Sequence, residues 1–469
     1  MPFSIIKILK RCEGLVLNRP VRFGIGFVVV LEIFSLLASI FPVTVLPIFV
    51  VLFVVMVVGA IYAPHIAVSF VIAELVYGAF GRMIAMDVVS LRMVLFLGFM
   101  VGCGLRYISN LEKLPTKISR QCVLLMAIII MGVGLGLWRG NELMRIFADV
   151  NAFFFIPLLL LARPFLVRHV SHYLTVLFTM VFLFCIKTLI VFWYFAGGMP
   201  VVGNPVYVYL RDTRVFEITA ITTEVSRVFS SAAFFVAIPF LYILLKRITF
   251  TSFVWGSLLS SVLLIGFSRS LLVSLLCAIV LVSFRAWRVF ARGIVVGVGG
   301  CLFVGVLLLS ASFRGNYFDL WYGRTRNFTN EVAAVSRYEQ VGPLLHAFRE
   351  KPLLGHGFGA SLAISTPQSE TDGVVLRSAF EWGYFDAMFK LGIFGLVLSY
   401  LVYQIFGVGN TRTARAITLT VLVTHIFTPL LFHPIGMGML VFASLLNVKS
   451  VHEISGTDEV FSFDLEPLK

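Results

Sequence analysis

Long apolar runs separated by short polar links dominate the pattern along this chain. Most of the runs approach the roughly 20 residues that a helix needs to cross a hydrocarbon core. A segment in lipid must satisfy its own backbone hydrogen bonds, so the runs are predicted to be helices and not open sheets. We place about 14 of them, at 23–41, 44–62, 66–80, 92–107, 121–138, 153–167, 173–196, 229–245, 250–267, 270–285, 293–311, 384–406, 416–431 and 435–448.

The predicted fold class is all-α, a polytopic transmembrane helical bundle with a partly helical, large outer loop. Of the 469 residues, 59% are hydrophobic and 13% are charged, whereas a soluble domain has about 45–50% apolar and about 25% charged residues. We therefore expect one transmembrane domain over residues 1–448, with water-facing loops at about 197–228 and 312–383. A polar cytoplasmic tail should follow at 449–469.

The basic residues predict the sidedness of the bundle. The net charge is +14, but many of the bases lie in short links between apolar runs, where they set topology and do not indicate nucleic acid binding. Lys and Arg are concentrated in alternate links, including the N-terminal segment, and this pattern predicts that both termini are cytoplasmic. The two long loops then lie outside.

Arginines recur in these outer loops, and guanidinium groups match phosphate oxygens with paired hydrogen bonds. One alternative is a solvated basic loop that pairs with lipid head groups. Arg269 differs from the others because it lies in a short SRS link between two apolar runs, where a charge is a functional hypothesis by default. The loop residues of interest are Arg211, Arg214, Arg314, Arg337 and Arg377.

Little in the sequence points to a metal or a cofactor. Six cysteines are present, without a CxxC motif or a Cys/His cluster, so neither a disulfide framework nor a zinc site is expected. Charged residues within apolar runs are Glu32, Glu74 and Lys187, which should pair or line a path through the bundle. Asp386 and Lys390 are four residues apart on one helix face and should pair with each other.

A set of motifs over roughly 220–410 resembles the O-antigen polymerase and O-antigen ligase superfamily. SRSLLVSL at 268–275 is similar to an arginine-bearing hairpin of that family. Arg337, an amphipathic stretch and PLLGHGFG at 352–359 follow, and then YFDAMFKLGIFGL at 384–396. The three glycines of PLLGHGFG follow no strand pattern, and a simple turn is the alternative to a phosphate cradle.

One departure from the ligase branch separates the two activities. Ligases of this family place a histidine, usually followed by Asn, just ahead of the helix after the loop. Here Glu381 stands at that position, eleven residues before Gly392, and Trp382 follows it. The resemblance therefore favours a polymerase.

The resemblance implies metal-independent glycosyl transfer at the periplasmic face of a bacterial inner membrane. Glycan would pass from undecaprenyl diphosphate to a sugar hydroxyl of a second lipid-linked repeat unit. We expect Arg269 and Arg337 to stabilise the departing diphosphate, and Glu381 to act as base or to orient the acceptor. The expected substrate-binding residues are Arg211, Arg214, Arg314, Arg377, Tyr338, His356 and Trp382. Glu381 could instead be only an arginine partner or helix-cap neighbour, and His356 only a structural residue.

The expected partners are the undecaprenyl-diphosphate-linked oligosaccharide and membrane lipids, and the resemblance leaves room for a chain-length regulator protein. No cofactor and no nucleic acid are expected. Two rival functions stay open: an O-antigen ligase that transfers glycan to lipid A core, and a flippase or other transporter of lipid-linked oligosaccharide. A transporter often has inverted repeats and broken midplane helices; no internal repeat is visible. A peptidoglycan polymerase of the many-helix type is a third rival, without evident motifs.

Overall fold

The computed structural model describes residues 13–446 except 15, 79–80, 87–88, 110, 112–118, 197–202, 214, 221–225, 246–248, 267, 284–286, 311–331, 366–373 and 409. Eighteen α-helices have defined bounds within this part of the chain. They are α1 (Pro20–Ile40), α2 (Val45–Tyr62), α3 (Pro64–Tyr77), α4 (Leu91–Ile108), α5 (Arg120–Trp138), α6 (Leu143–Val150), α7 (Phe155–Arg168), α8 (Val170–Ala196), α9 (Pro205–Asp212), α10 (Ala233–Leu245), α11 (Phe250–Ile265), α12 (Arg269–Ser283), α13 (Trp287–Ser310), α14 (Val332–Glu350), α15 (Gly383–Leu391), α16 (Phe394–Phe406), α17 (Arg412–Phe427) and α18 (Pro434–Leu445).

Short 3₁₀ turns and three small hairpins complete the described structure. The 3₁₀ turns are Pro42–Thr44, Asn151–Phe154 and Leu430–Phe432. The antiparallel strand pairs are β1 (Ala85–Met86) with β2 (Val89–Ser90), β3 (Glu217–Ala220) with β4 (Ser226–Phe229), and β5 (Leu362–Ser365) with β6 (Val374–Arg377). In the last pair Leu362 lies opposite Arg377 and Ser365 opposite Val374.

Local sequence signals explain where many of these helices begin. Proline occupies the first position of α1, α3, α9 and α18, where its missing N–H has no intrahelical partner to lose. Ser90, Ser119 and Thr249 precede α4, α5 and α11, and each side chain accepts a hydrogen bond from a backbone N–H of the first turn. The polar links therefore both separate the apolar runs and start the next helix.

The prediction of an all-α polytopic membrane protein is confirmed. Every predicted apolar run contains a helix, and seven spans among the described residues are long and apolar enough to cross a membrane. Five further apolar helices, α3, α10, α11, α12 and α18, are shorter. Helices α6, α9 and α14 lie largely outside the predicted runs, and α14 makes the large loop partly helical, as expected.

The run at 384–406 was predicted as one helix, and the structure corrects this. It is divided into α15 and α16, which meet at an angle of 120°. Gly392 lies at the break with φ of 62°, a left-handed conformation that favours glycine. Its backbone packs so closely on Pro352 and Leu353 that a side chain has no room. The break therefore belongs to the contact between this helix and the preceding loop.

Charges within the apolar helices are paired across the bundle. Glu74 of α3 and Arg92 of α4 form a buried ion pair at 2.9 Å. Glu32 of α1 forms an ion pair with Lys187 of α8, and it also accepts a hydrogen bond of 2.7 Å from the Tyr77 hydroxyl. Of the two alternatives given for Glu32, Glu74 and Lys187, the structure shows the pairing.

The sidedness of the bundle stays a prediction, and cysteine labelling tests it. We expect an impermeant thiol reagent to label Glu350→Cys, at the exposed end of α14, in intact spheroplasts of a strain carrying an otherwise cysteine-free variant. Arg120→Cys, at the exposed start of α5, should react only after lysis, because the helix order places it at the opposite end. The reverse labelling pattern would place the arginine-rich loops in the cytoplasm.

Candidate active site

The junction between α14 and α15 brings together three residues that the sequence singled out. Arg337 on α14 forms an ion pair with Glu381, two residues before α15. The indole N–H of Trp382 donates to the backbone oxygen of Arg337 at 2.8 Å. The Arg337 and Glu381 side chains are 33% and 39% exposed, so a water-borne ligand can reach both of them.

Gln340 on α14 fixes the backbone position of Glu381. Its side-chain oxygen accepts the backbone N–H of Glu381 at 3.0 Å, and the Gln340 side chain is fully buried. Sequence reasoning missed this residue, although its spacing of three from Arg337 places it on the same face of a helix. Two hydrogen bonds to α14, one from the Glu381 backbone and one from the Trp382 side chain, therefore hold the segment that carries the Glu381 carboxylate.

A small apolar core supports the junction. Phe380 and Phe389 are buried and meet edge to face with ring centroids 5.5 Å apart. Leu344, Ala347 and Ile364 belong to the same cluster, which joins α14, β5 and α15. Packing of this kind limits the movement of the two segments that carry Arg337 and Glu381.

The glycine turn after α14, residues 355–359, packs against other helices of the bundle and does not form a phosphate cradle. Gly355, Gly357 and Gly359 all have positive φ, between 65° and 77°. A side chain at Gly357 would collide with the backbone of Gly136 at the end of α5. The N–H groups of residues 355–359 all donate within the protein: to the backbone oxygens of Lys351, Phe389, Lys390 and Gly132, and to the Asp149 carboxylate.

His356 lies within this turn and its contacts are structural. Its Nε2 atom is 2.9 Å from the backbone oxygen of Ala347, and its ring stacks on Phe389 with centroids 4.9 Å apart. Burial lowers the pKa of the His356 imidazole below its usual range. These contacts favour the structural role for His356 that the sequence had left open.

A buried ion cluster lies beneath the turn, at the broken helix. Lys390 contacts Asp386 at 2.9 Å, which confirms the predicted i,i+4 pair. The cluster has a third member that sequence reasoning missed: Asp149 of α6 binds Lys390 at 2.7 Å and accepts the N–H of Gly359 at 2.7 Å. The only sequence signal for Asp149 was an acidic residue just ahead of an apolar run. The cluster ties α6, the glycine turn and α15 together.

The other predicted site residues are more widely distributed. Arg269 is the first residue of α12 and is half-buried, and α12 packs along α17. Chain order places its first turn at the same end as Phe427 of α17, whose ring lies 6.3 Å from that of Trp382. If α12 and α17 both cross the membrane, chain order predicts that Arg269 lies at the same end of the bundle as the Arg337–Glu381 pair.

Two of the remaining arginines, Arg211 and Arg377, lie on small elements of the two loops. Arg211 of α9 is exposed and pairs with its neighbour Asp212 at 2.9 Å. Arg377 on β6 is half-buried, and Tyr338 on α14 is 60% exposed. Arg214 and Arg314 lie outside the described residues.

The arrangement suits proton transfer and anion stabilisation at a protein surface. A carboxylate can accept a proton from a hydroxyl group, and a neighbouring guanidinium can stabilise a developing negative charge. Within the described part of the chain, no group of three or more His, Cys, Asp or Glu side chains is placed to hold a metal ion.

The fold and this site define a multi-pass helical membrane protein with an arginine–carboxylate pair where a loop meets a broken helix. Residues 254–400 match the family model described as O-antigen ligase. This range runs from α11 to α16 and contains Arg269, Arg337 and Glu381, so it confirms the resemblance to the O-antigen polymerase and ligase superfamily. Members of this family are membrane glycosyltransferase-like enzymes. No curated protein and no solved structure is significantly similar to the chain.

Proposed function

We propose that this protein is an O-antigen polymerase, a membrane glycosyltransferase that joins lipid-linked oligosaccharide repeat units at the periplasmic face. The donor is a glycan on undecaprenyl diphosphate, and the acceptor is a sugar hydroxyl of a second repeat unit. The observation that carries the proposal is the Arg337–Glu381 pair, held by Gln340 and Trp382 at the junction where the ligase branch has a histidine.

The reaction exchanges one bond at the anomeric carbon for another and transfers one proton. The acceptor hydroxyl oxygen bonds to the anomeric carbon of the donor glycan, and the bond from that carbon to the diphosphate oxygen breaks. Glu381 takes the hydroxyl proton, and the diphosphate leaves with its negative charge. Arg269 and Arg337 stabilise that charge.

Arg337 can contact the Glu381 carboxylate and the departing diphosphate at the same time. Its contact with Glu381 runs through Nε, on one edge of the guanidinium, and a guanidinium carries four further N–H donors on its two other nitrogens. Arg211, Arg214, Arg314 and Arg377 are proposed to attract the diphosphate. The exposed ring of Tyr338 and the half-buried ring of Trp382 are proposed to stack on sugars, and His356 to keep the turn beside them in place.

The glycan of a null mutant distinguishes the proposal from its rivals. Loss of a polymerase should leave a single repeat unit on lipid A core. Loss of a ligase should leave core without glycan, while lipid-linked polymer accumulates. Loss of a flippase should trap repeat units inside the cell. Either of the last two results would overturn the polymerase assignment. The ligase is the stronger rival, because the matched family model is described by that activity.

Activity should not require a divalent metal, because arginines are proposed to supply the positive charge at the leaving group. Purified protein with lipid-linked repeat units is expected to form polymer at the same rate in excess chelator. Loss of polymer in chelator, with recovery on adding magnesium or manganese, would show that a metal ion stabilises the diphosphate.

A further inference from the structure

A cavity of about 340 Å³ opens at the end of the bundle opposite the candidate active site. Its walls come from the end of α2, the start of α3, and the ends of α4 and α7. Helix α5 starts at the end of the bundle where α4 finishes, and its last residues contact the glycine turn. The cavity and the turn therefore lie about one bundle length apart, and the cavity is on the predicted cytoplasmic side.

Two arginines from different helices line this cavity. Arg106 of α4 donates to the backbone oxygen of Ile61 at the end of α2, and its guanidinium lies over the Phe165 ring at 5.5 Å from the centroid. Arg168 is the last residue of α7 and is exposed at the mouth. The backbone and ring contacts hold Arg106 in place before any ligand arrives.

The other polar side chains of the lining are those of His65, Glu13 and Tyr62. His65 Nδ1 lies 2.6 Å from the hydroxyl of Tyr173, and the Glu13 carboxylate accepts the backbone N–H of His65 at 3.2 Å. The His169 ring lies 4.5 Å from the His65 ring. Two guanidiniums and one carboxylate line the cavity, so the arginine and glutamate side chains of the lining together carry a net positive charge.

We propose that this cavity binds the head group of an anionic phospholipid, with the lipid phosphate against Arg106 and Arg168. Paired guanidiniums match phosphate oxygens, and pockets for small ligands have volumes of roughly 300–1,000 Å³. Basic pockets between transmembrane helices on the cytoplasmic side are suited to acidic head groups.

The mouth favours a lipid over a soluble phosphate compound. Leu111 at the mouth is 53% exposed, beside the exposed Arg168. An apolar side chain and a charged one at the same rim match the boundary between acyl chains and head groups. The inference is independent of the polymerase assignment, because it concerns the opposite end of the bundle.

The test measures lipid binding by the full-length protein in neutral detergent. Short-chain phosphatidylglycerol should bind, whereas phosphatidylcholine of the same chain length should bind at least tenfold more weakly. Arg168→Gln is expected to weaken phosphatidylglycerol binding about tenfold or more, because it removes a charged hydrogen bond. Arg163→Gln, an exposed arginine on the same helix and outside the cavity, is the matched control and should bind as the wild type does.

Glu13→Gln is expected to strengthen phosphatidylglycerol binding, whereas Arg168→Gln weakens it. The amide oxygen can still accept the His65 N–H, while the competing negative charge is lost, so phosphatidylglycerol should bind more tightly. Equal binding of the two lipids, or equal losses in Arg168→Gln and Arg163→Gln, would overturn the proposal. Displacement of the bound lipid by millimolar inorganic phosphate would assign the cavity to soluble phosphate compounds instead.

Discussion

Glu381→Gln is expected to lower the rate of polymer formation by about 10²–10⁴-fold, the usual contribution of a general base. Glutamine keeps the shape of the side chain and removes its basicity, so binding of the lipid-linked donor should be largely kept. Arg337→Ala should cost about 10²–10³-fold, because it removes a charged donor to the departing diphosphate. Arg337→Lys should recover only part of this loss, since lysine lacks the fork of donors. Turnover and donor binding are measured separately on purified protein.

The contact between the two side chains makes a double-mutant cycle informative. Because Arg337 and Glu381 form one ion pair, the double variant should lose less activity than the product of the two single losses. Arg349→Ala and Glu350→Gln, at the exposed end of the same helix, are the matched controls and should keep wild-type turnover. Polymerisation at the wild-type rate by Glu381→Gln would leave Glu381 as a structural partner of Arg337.

The predicted losses for Arg269 serve as a separate check on the leaving-group site. Arg269→Ala should reduce turnover by a factor similar to that of Arg337→Ala, while the protein still inserts in the membrane. Its loss should multiply with that of Glu381→Gln if the two residues act on different atoms of the reaction. Near wild-type polymer from Arg269→Ala would remove Arg269 from the diphosphate site.

Lys390→Met is expected to cause the largest loss of stability, about 3–5 kcal/mol. Lys390 is 1% exposed and contacts both Asp149 and Asp386, so its removal leaves two buried carboxylates without their cation. The same change weakens the hold of Asp149 on the glycine turn through Gly359. Thermal unfolding in detergent, followed together with the fraction of monodisperse protein, measures the effect.

Two further variants show whether the loss of stability comes from the uncompensated buried charges or from the change of side chain itself. Lys351→Met makes the same substitution at the exposed residue that follows α14, and its free energy of unfolding should stay within about 0.5 kcal/mol of that of the wild type. Adding Asp149→Asn and Asp386→Asn to Lys390→Met should recover part of the lost stability, because the uncompensated charges are then gone. An unchanged unfolding temperature for Lys390→Met would show that the cluster contributes little.

The glycine turn shows how far a motif can be interpreted without a fold. PLLGHGFG marked residues 352–359 as special, and both a phosphate cradle and a simple turn were consistent with it. A phosphate cradle would leave its backbone N–H groups available to a ligand, whereas a structural turn uses them within the protein. In the structure the N–H groups of residues 355–359 donate to acceptors within the protein. A sequence does not contain that information, because four of the five acceptors lie on α5, α6 and α15, in other segments of the chain.

The broken helix at Gly392 has a similar explanation. The run 384–406 is apolar throughout, so periodicity predicts one crossing. The bend of 120° follows from the close packing of Gly392 on Pro352 and Leu353, which is a contact between distant segments. Asp149 was missed for the same reason: its partners Lys390 and Gly359 are more than 200 residues away.

The order of apolar runs and polar links in the sequence was enough to determine the class of fold and most helix positions. The reason is that an apolar segment in lipid must satisfy its own backbone hydrogen bonds, and a helix does so within one segment. The motifs were likewise enough to indicate the family and to select Arg337 and Glu381. Only the tertiary structure showed that these two side chains form a pair, that Gln340 and Trp382 hold it, and that the glycines pack helices together. Such contacts join segments whose distance in space depends on the packing of the whole bundle, and local sequence does not specify that packing.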